Sequence, residues 1–325
     1  MMHPFHSVWQ HEISHAVTDI HELCRLLNIS AEAVSPAIRS FPLRVPRSFI
    51  ARMEKGNPRD PLLLQVIPQL IELQKTPGFS KDPLIEKTAN PIPGLLHKYT
   101  NRVLLTLTGG CAVNCRYCFR RHFSYEDNLP SKENFQRALS YIEKNTSIEE
   151  IIFSGGDPLI LKDEFLMRFV TTLEKIEHIS RLRIHTRVPI VVPSRLTKNF
   201  IRQIKKLKMD VVIVVHANHP NEIDETVTTA LRHLKMAGIT VLNQSVLLKD
   251  INDNAEVLAQ LSKKLFSAGV LPYYLHALDK VDGSAHFEVP EDQAQAIMAS
   301  LKQQLPGFLV PKFAREAPGE ASKIY

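Results

Sequence analysis

Residues 103–123, VLLTLTGGCAVNCRYCFRRHF, decide how the rest of the chain is read. The apolar run 103–107 reads as a buried strand, and it is followed by Gly109-Gly110 and three cysteines, Cys111, Cys115 and Cys118. The chain holds only four cysteines in 325 residues, so this clustering is informative. Three thiolates on one loop can converge on one metal centre. A tetrahedral zinc site wants a fourth ligand nearby, for which His122 is the candidate, and a fully ligated iron–sulfur cube wants a fourth cysteine. No cysteine follows Cys118 and Cys24 is distant in sequence. The simplest reading is a 4Fe-4S cluster with one iron left open for a ligand that is not protein; zinc, or reduced cysteines that only pack, are the alternatives.

Outward from this loop, β-branched and apolar runs recur at 151–153, 182–184, 211–215, 240–242 and 271–274. Helix-like stretches separate them at 133–144, 162–176, 196–207, 222–236, 255–268 and 291–304, giving six βα units and a last run, 308–313, that can add a strand. After the first unit the strands recur about every thirty residues, as βα repeats require. The expected fold class is α/β with a parallel, barrel-like sheet. Polar and glycine-bearing motifs follow the strands, where barrel enzymes build active sites. They are the cysteine loop, SGGDP from Ser154, HTR from His185, HANHP from His216, Asn243-Gln244-Ser245, YYLHALD ending at Asp279, and REAPGEASK from Arg315 to Lys323. All are expected at one mouth.

The first 95 residues read as a helical extension and 96–325 as the catalytic barrel. Apolar residues Ile13, Ala16, Val17, Ile20, Leu23 and Leu27 fall on one face of an expected helix over 13–27, with Cys24 packed on it. Prolines then break residues 40–75 into short pieces. With 44% hydrophobic and 23% charged residues the chain can bury a sizeable core, and no apolar run approaches the ~20 residues of a membrane span. Few, clustered cysteines fit a reducing compartment, and a cytoplasmic location with no membrane contact is expected. The net charge of +6 comes from Lys and Arg scattered along helices, as in Arg202 to Lys208, so no direct nucleic-acid binding is expected. A homo-oligomer is compatible with this composition.

The spacing Cys-x3-Cys-x2-Cys, with Tyr117 before the last cysteine, resembles the cluster loop of radical S-adenosylmethionine enzymes. In those enzymes the open iron chelates the amino and carboxylate groups of S-adenosylmethionine, and the common fold is an open (β/α)6 partial barrel. The ordered set NPIPGLLHKYTNRVLLTLT, CAVNCRYCFRRHF, FSGGDPL, HANHPNEI, NQSVLLKDIND, PYYLHALD and APGEASK resembles the lysine 2,3-aminomutase family from about residue 40 onward. The short chain and the lack of later cysteines resemble the branch that makes (R)-β-lysine for attachment to elongation factor P through a ligase. The resemblance implies a radical isomerase that moves the α-amino group of L-lysine to the β-carbon, fed by an electron donor such as flavodoxin or ferredoxin.

Site residues are implied position by position. Lys323 matches the lysine that holds pyridoxal 5′-phosphate, and Arg102 the arginine that grips its phosphate, for which a guanidinium fork is suited. Gly155 and Gly156 would let backbone approach the methionine amino group, while Ser154 and Asp157 either bind cofactor or cap the next helix. His216 and Gln244 match contacts to the adenosyl and pyridoxal groups, with a buried structural role the alternative. Arg120 matches the partner of the substrate carboxylate; Asp279 and Glu316 match two acidic partners of its distant ammonium. Glu316 is a departure, because the free-lysine enzymes carry aspartate there, and their zinc-binding cysteine tail is also missing. Two rival readings remain. An aminomutase for glutamate would place like charge against Asp279 and Glu316. A non-enzymatic iron–sulfur or zinc protein binding the translation apparatus would leave Lys323 and Arg102 without a task.

Overall fold

The computed structural model describes residues 7–30, 41–86, 90–128, 131–316 and 323–325. Eight strands form one sheet in chain order: β1 (Leu95–Tyr99), β2 (Arg102–Thr108), β3 (Glu150–Gly155), β4 (Arg181–Thr186), β5 (Asp210–Val215), β6 (Thr240–Val246), β7 (Leu271–His276) and β8 (Lys312–Ala314). β1 runs antiparallel to β2, and every later neighbour is parallel. Among the described residues nothing pairs β8 back to β1, so the barrel is open. The expected α/β partial barrel is therefore present, with two additions to its rim. The hairpin strand β1 lies in the stretch that reads as a proline-rich lead-in, and the last strand is a three-residue segment, because residues 307–309 form a 3-10 turn instead.

Among the described residues six helices of eight residues or more cross between the parallel strands, at Lys132–Lys144, Asp163–Leu173, Lys198–Lys205, Glu225–Met236, Ala255–Ser267 and Glu291–Gln304. Several start where a side-chain oxygen takes up an orphan amide: Ser131 accepts from Asn134, Thr197 from Phe200, Asp224 from Val227 and Asn254 from Glu256. Each buries one apolar stripe against the sheet, as Ala138, Leu139 and Ile142 do on the first. The strands' alternation sends every second residue inward, so Arg102 and Leu104, Ile152 and Ser154, and Gln244 and Val246 line a common interior.

The N-terminal residues differ from the expected single helix over 13–27. Two helices form, Val8–Ser14 and Ile20–Leu27, separated where Val17 leaves the helical path. Val17 exchanges both backbone hydrogen bonds with Val45 (2.8 and 2.9 Å), and Asp19 starts the second helix by accepting from Glu22 N (2.7 Å). A tertiary bridge thus outweighs local periodicity. Cys24 is 2% exposed, packed in the core as expected. That core is continuous: Trp9, Leu23, Phe49 and Leu62 share one apolar cluster with Val103, Phe153 and Ile213 of the barrel. Residues 41–86 also brace the cysteine loop, through Asn114 N to Arg44 O (3.0 Å) and Arg116 N to Gln65 O (2.8 Å). No described helix is long and apolar enough to cross a membrane.

Candidate active site

The interior of the barrel is a cavity of about 340 Å³. Every candidate site residue from the sequence lines it: Cys111, Cys115, Cys118 and Arg120 from the cysteine loop, Ser154 to Asp157, His216 and Gln244 from later strand ends, and Arg102, Asp279, Glu316 and Lys323. Residues separated by more than 200 positions thus share one wall.

At the cysteine end the loop is positioned by glycine. The amide of Gly156 donates to Thr108 O (2.7 Å), and that of Asp157 to Gly110 O (2.8 Å), zipping the turn after β3 onto the turn after β2. A Cβ at Gly156 would stand 2.2 Å from Gly110 O, and Gly155 has φ +112. Both positions need glycine for this backbone contact, so the pair is explained before any ligand is considered. Asp157 has both carboxylate oxygens engaged, by Leu159 N, Thr186 Oγ1, Arg187 N and Val188 N (2.6 to 3.1 Å). Its capping role is realised here. Ser154 Oγ instead accepts from Arg120 Nη1 (3.2 Å).

The three thiols stand near enough to feel one another. Burial pushes Cys111 well up and Cys118 to about 11, and the neighbouring thiols push each further in the same direction. Among the described residues no three His, Cys, Asp or Glu side chains converge on a single ion, and His122 is turned away, its Nε2 on Asp282 O (3.1 Å). Thiols spread around one cavity suit a cluster, in which three irons would each take one thiolate and the fourth stay open. Arg187, the last residue of the HTR motif and given no specific role by the sequence, lies buried beside them. Its Nη1 reaches Cys115 Sγ (2.7 Å) and Tyr117 OH (2.6 Å), and its Nη2 reaches Gln65 and Glu222. His216 meets the same Tyr117 hydroxyl through Nε2 (3.1 Å) with the rings stacked, and burial holds its imidazole neutral, well below the usual range.

At the opposite end, Lys323 Nζ donates to Glu316 Oε1 (2.5 Å) and lies over the Tyr274 ring (5.3 Å). The residue after it, Ile324, exchanges both backbone bonds with Arg315 (2.9 and 3.0 Å), which returns the terminal segment to the barrel. Lys98 holds the other Glu316 oxygen (2.8 Å). Burial works against the ionised Glu316, but Lys323 and Lys98 outweigh it and hold its carboxyl at about 2. Asp279 goes the other way: burial, reinforced by the charge of Glu316, pushes it up to about 7. His276 is held at about 3, chiefly by burial and then by Lys323. Arg102 stacks on the Tyr99 ring (4.0 Å) with Nη1 on Asn101.

Arg120 sits between these ends with its Nε and Nη2 on the two oxygens of Glu86 (2.9 and 2.6 Å). Glu86 and His185 also line the cavity, and among the described residues the Nε2 of His185 has no hydrogen-bond partner. The position of His185 at a strand end was a usable signal. Glu86, in a proline-broken stretch, offered none.

The barrel, its cysteine loop and a cavity reaching from that loop to the sheet's far rim define an enzyme of the radical S-adenosylmethionine class. In keeping with this, the sequence profile of the Radical SAM superfamily matches residues 105–261. A radical SAM methyltransferase from Sphaerobacter thermophilus shares the fold, with a TM-score of 0.52 at 17% identity over 68% of each chain. The chain is 55% identical over 324 residues to the L-lysine 2,3-aminomutase of Escherichia coli, covering 98% of this chain and 94% of that one. It is 49% identical to the Haemophilus influenzae L-lysine 2,3-aminomutase (97% and 94% covered) and 34% identical to that of Clostridium subterminale (97% and 76%). The chain belongs to the L-lysine 2,3-aminomutase family, and with it come a 4Fe-4S cluster and S-adenosylmethionine.

Proposed function

We propose that this protein converts L-lysine to β-lysine, with pyridoxal 5′-phosphate on Lys323. The observation that carries the reading is the meeting of Lys323, Asp279 and Glu316 with the cysteine loop around one cavity. When bound, the cluster and S-adenosylmethionine supply a hydrogen-abstracting radical, and the pyridoxal ring supplies an electron sink for nitrogen migration.

The chain's own residues hold and enclose. Cys111, Cys115 and Cys118 would each hold one iron, and the turn at Ser154 to Gly156 lies against their loop as the wall for the methionine end of S-adenosylmethionine. His216, just past the end of β5, and Gln244, on β6, line the same cavity. Arg102 would hold the pyridoxal phosphate group. Arg120 grips the carboxylate of lysine, and Asp279 with Glu316 receives its side-chain ammonium, which replaces the cation that Lys323 now presents there. The apolar walls exclude water and stray hydrogen donors. Because Asp279 ionises near 7, lysine capture should improve as pH rises through that value.

The product is read as (R)-β-lysine for attachment to elongation factor P by a ligase, with flavodoxin or ferredoxin as electron donor. The branch resemblance supports this, as does identity of 55% to the E. coli relative against 34% to the C. subterminale one. Anaerobically reconstituted protein should convert lysine and leave glutamate untouched. Borohydride should fix pyridoxal to Lys323 and not to Lys323→Ala, which keeps its iron. Conversion of glutamate in preference to lysine, or an adduct at another lysine, would contradict the reading.

A further inference from the structure

Arg120 is held on three sides. Glu86 takes its Nε and one Nη2 hydrogen, Ser154 Oγ (3.2 Å) and Gly155 O (3.4 Å) share Nη1, and its guanidinium carbon lies 5.0 Å and 5.6 Å from the ring centres of Phe119 and Phe123. A guanidinium has five N–H donors in one plane. With the Nε edge taken, a ligand carboxylate meets the outer edge formed by Nη1 and Nη2, where among the described residues it competes only with the long Nη1 contacts to Ser154 Oγ and Gly155 O. Glu86 therefore does not occupy the place a substrate would take; it occupies the edge behind it. The mount is unusual too. Glu86 follows Ile85, a β-branched residue at φ 50, and the turn is closed by Asp82, whose Oδ1 accepts from Glu86 N (3.2 Å) and whose carbonyl accepts from Ile85 N (3.4 Å). A side chain branched at Cβ strongly disfavours that backbone region, so the chain accepts strain at the position that presents Glu86.

We infer that Glu86 is a positioning residue for substrate recognition: it neutralises Arg120 when no substrate is bound and fixes the guanidinium so that its outer edge meets the α-carboxylate of the amino acid. The inference rests on the reading of Arg120 as the carboxylate partner. It predicts a selective defect. Weakening the support behind Arg120 should harm ligands that carry the carboxylate and spare those that lack it.

The test is calorimetric titration of reconstituted, unreduced protein, loaded with S-adenosylmethionine and pyridoxal phosphate, with L-lysine and with L-lysinamide. Glu86→Gln should weaken L-lysine by about tenfold or more, as loss of a group behind a ligand-holding residue ordinarily does, and leave L-lysinamide unmoved. Iron content and absorbance check that the variant is folded. Should Glu86→Gln lose its cluster, Glu86→Asp makes the same comparison with the charge kept and the reach shortened, and a smaller loss for L-lysine alone is expected. Unchanged or tighter binding of L-lysine, or weakening of both ligands together, would overturn the inference. Arg120→Gln separates it from its premise. If that variant discriminates between the ligands and Glu86→Gln does not, only the role of Glu86 falls; if neither discriminates, the reading of Arg120 falls and the inference with it.

Discussion

At the cysteine end of the cavity Glu72 accepts from both Arg116 and Arg121, and none of the three side chains is more than 3% exposed; at the lysine end Glu316 is shared by Lys98 and Lys323, whose side chains are 25% and 18% exposed. The first arrangement has no exchangeable member. Arg116 also donates to Phe41 O (2.8 Å), Arg121 to Gly283 O (3.1 Å), and the loop above them is clamped by backbone bonds between glycine turns. The second is a set of ion pairs in reach of a ligand, in which one cation can be traded for another. A cluster needs ligands that stay in place, whereas a lysine that must release its cofactor to substrate needs partners that can be replaced. The two ends differ as the tasks proposed for them differ.

The largest effect expected is at the locked end: alanine at Cys111, Cys115 or Cys118 should abolish iron binding, while Cys24→Ala, which removes a packed core thiol, keeps it. Iron-to-protein ratios and visible spectra of the four variants decide this, and cluster loss from Cys24→Ala would break the three-ligand account. Next comes Glu72→Gln. Leaving two buried guanidiniums without their carboxylate should lower stability by about 3–5 kcal/mol, measured by chemical denaturation. A loss as large from Glu316→Gln would erase the contrast between the ends, since the pairs there are partly solvated.

Asp279→Asn should weaken capture of the substrate ammonium by about 2–5 kcal/mol, read as kcat/KM for lysine. The rise in kcat/KM through about pH 7 should disappear with the carboxyl that produces it, because the group is neutral below that pH and charged above it. A variant that keeps the same pH limb would assign it elsewhere. The smallest effect belongs to Glu316→Asp, which keeps the charge and shortens it by one methylene; activity on lysine should stay within about tenfold of the parent. A total loss would mean that reach, and not charge alone, sets that side of the pocket.

Much of this was legible in the sequence because βα periodicity and strand-end motifs are local signals. The strands at Glu150–Gly155 through Leu271–His276 lie where apolar runs place them, and the cysteine loop follows the strand that announces it. What escaped depends on contacts between distant residues. Val17 reads as one face of a helix until Val45 pairs with it. Gly155 and Gly156 also answer a packing demand with no local mark, since a Cβ would meet Thr106 and Thr108 at the first and the Gly110 backbone at the second. β1 hides behind prolines, and Glu86, 34 positions from Arg120, carries no local mark of its partner.

The central claim is that one cavity joins the cluster's radical chemistry to a pyridoxal-bearing lysine for moving nitrogen along lysine. Reconstituted, reduced protein given L-lysine labelled with nitrogen-15 on its α-amino group tests it most directly by nuclear magnetic resonance of the product. The account predicts the label on the β-carbon with the parent and no transfer with Lys323→Ala. Cleavage of S-adenosylmethionine at the normal rate with the label still on the α-carbon of all recovered lysine would contradict it.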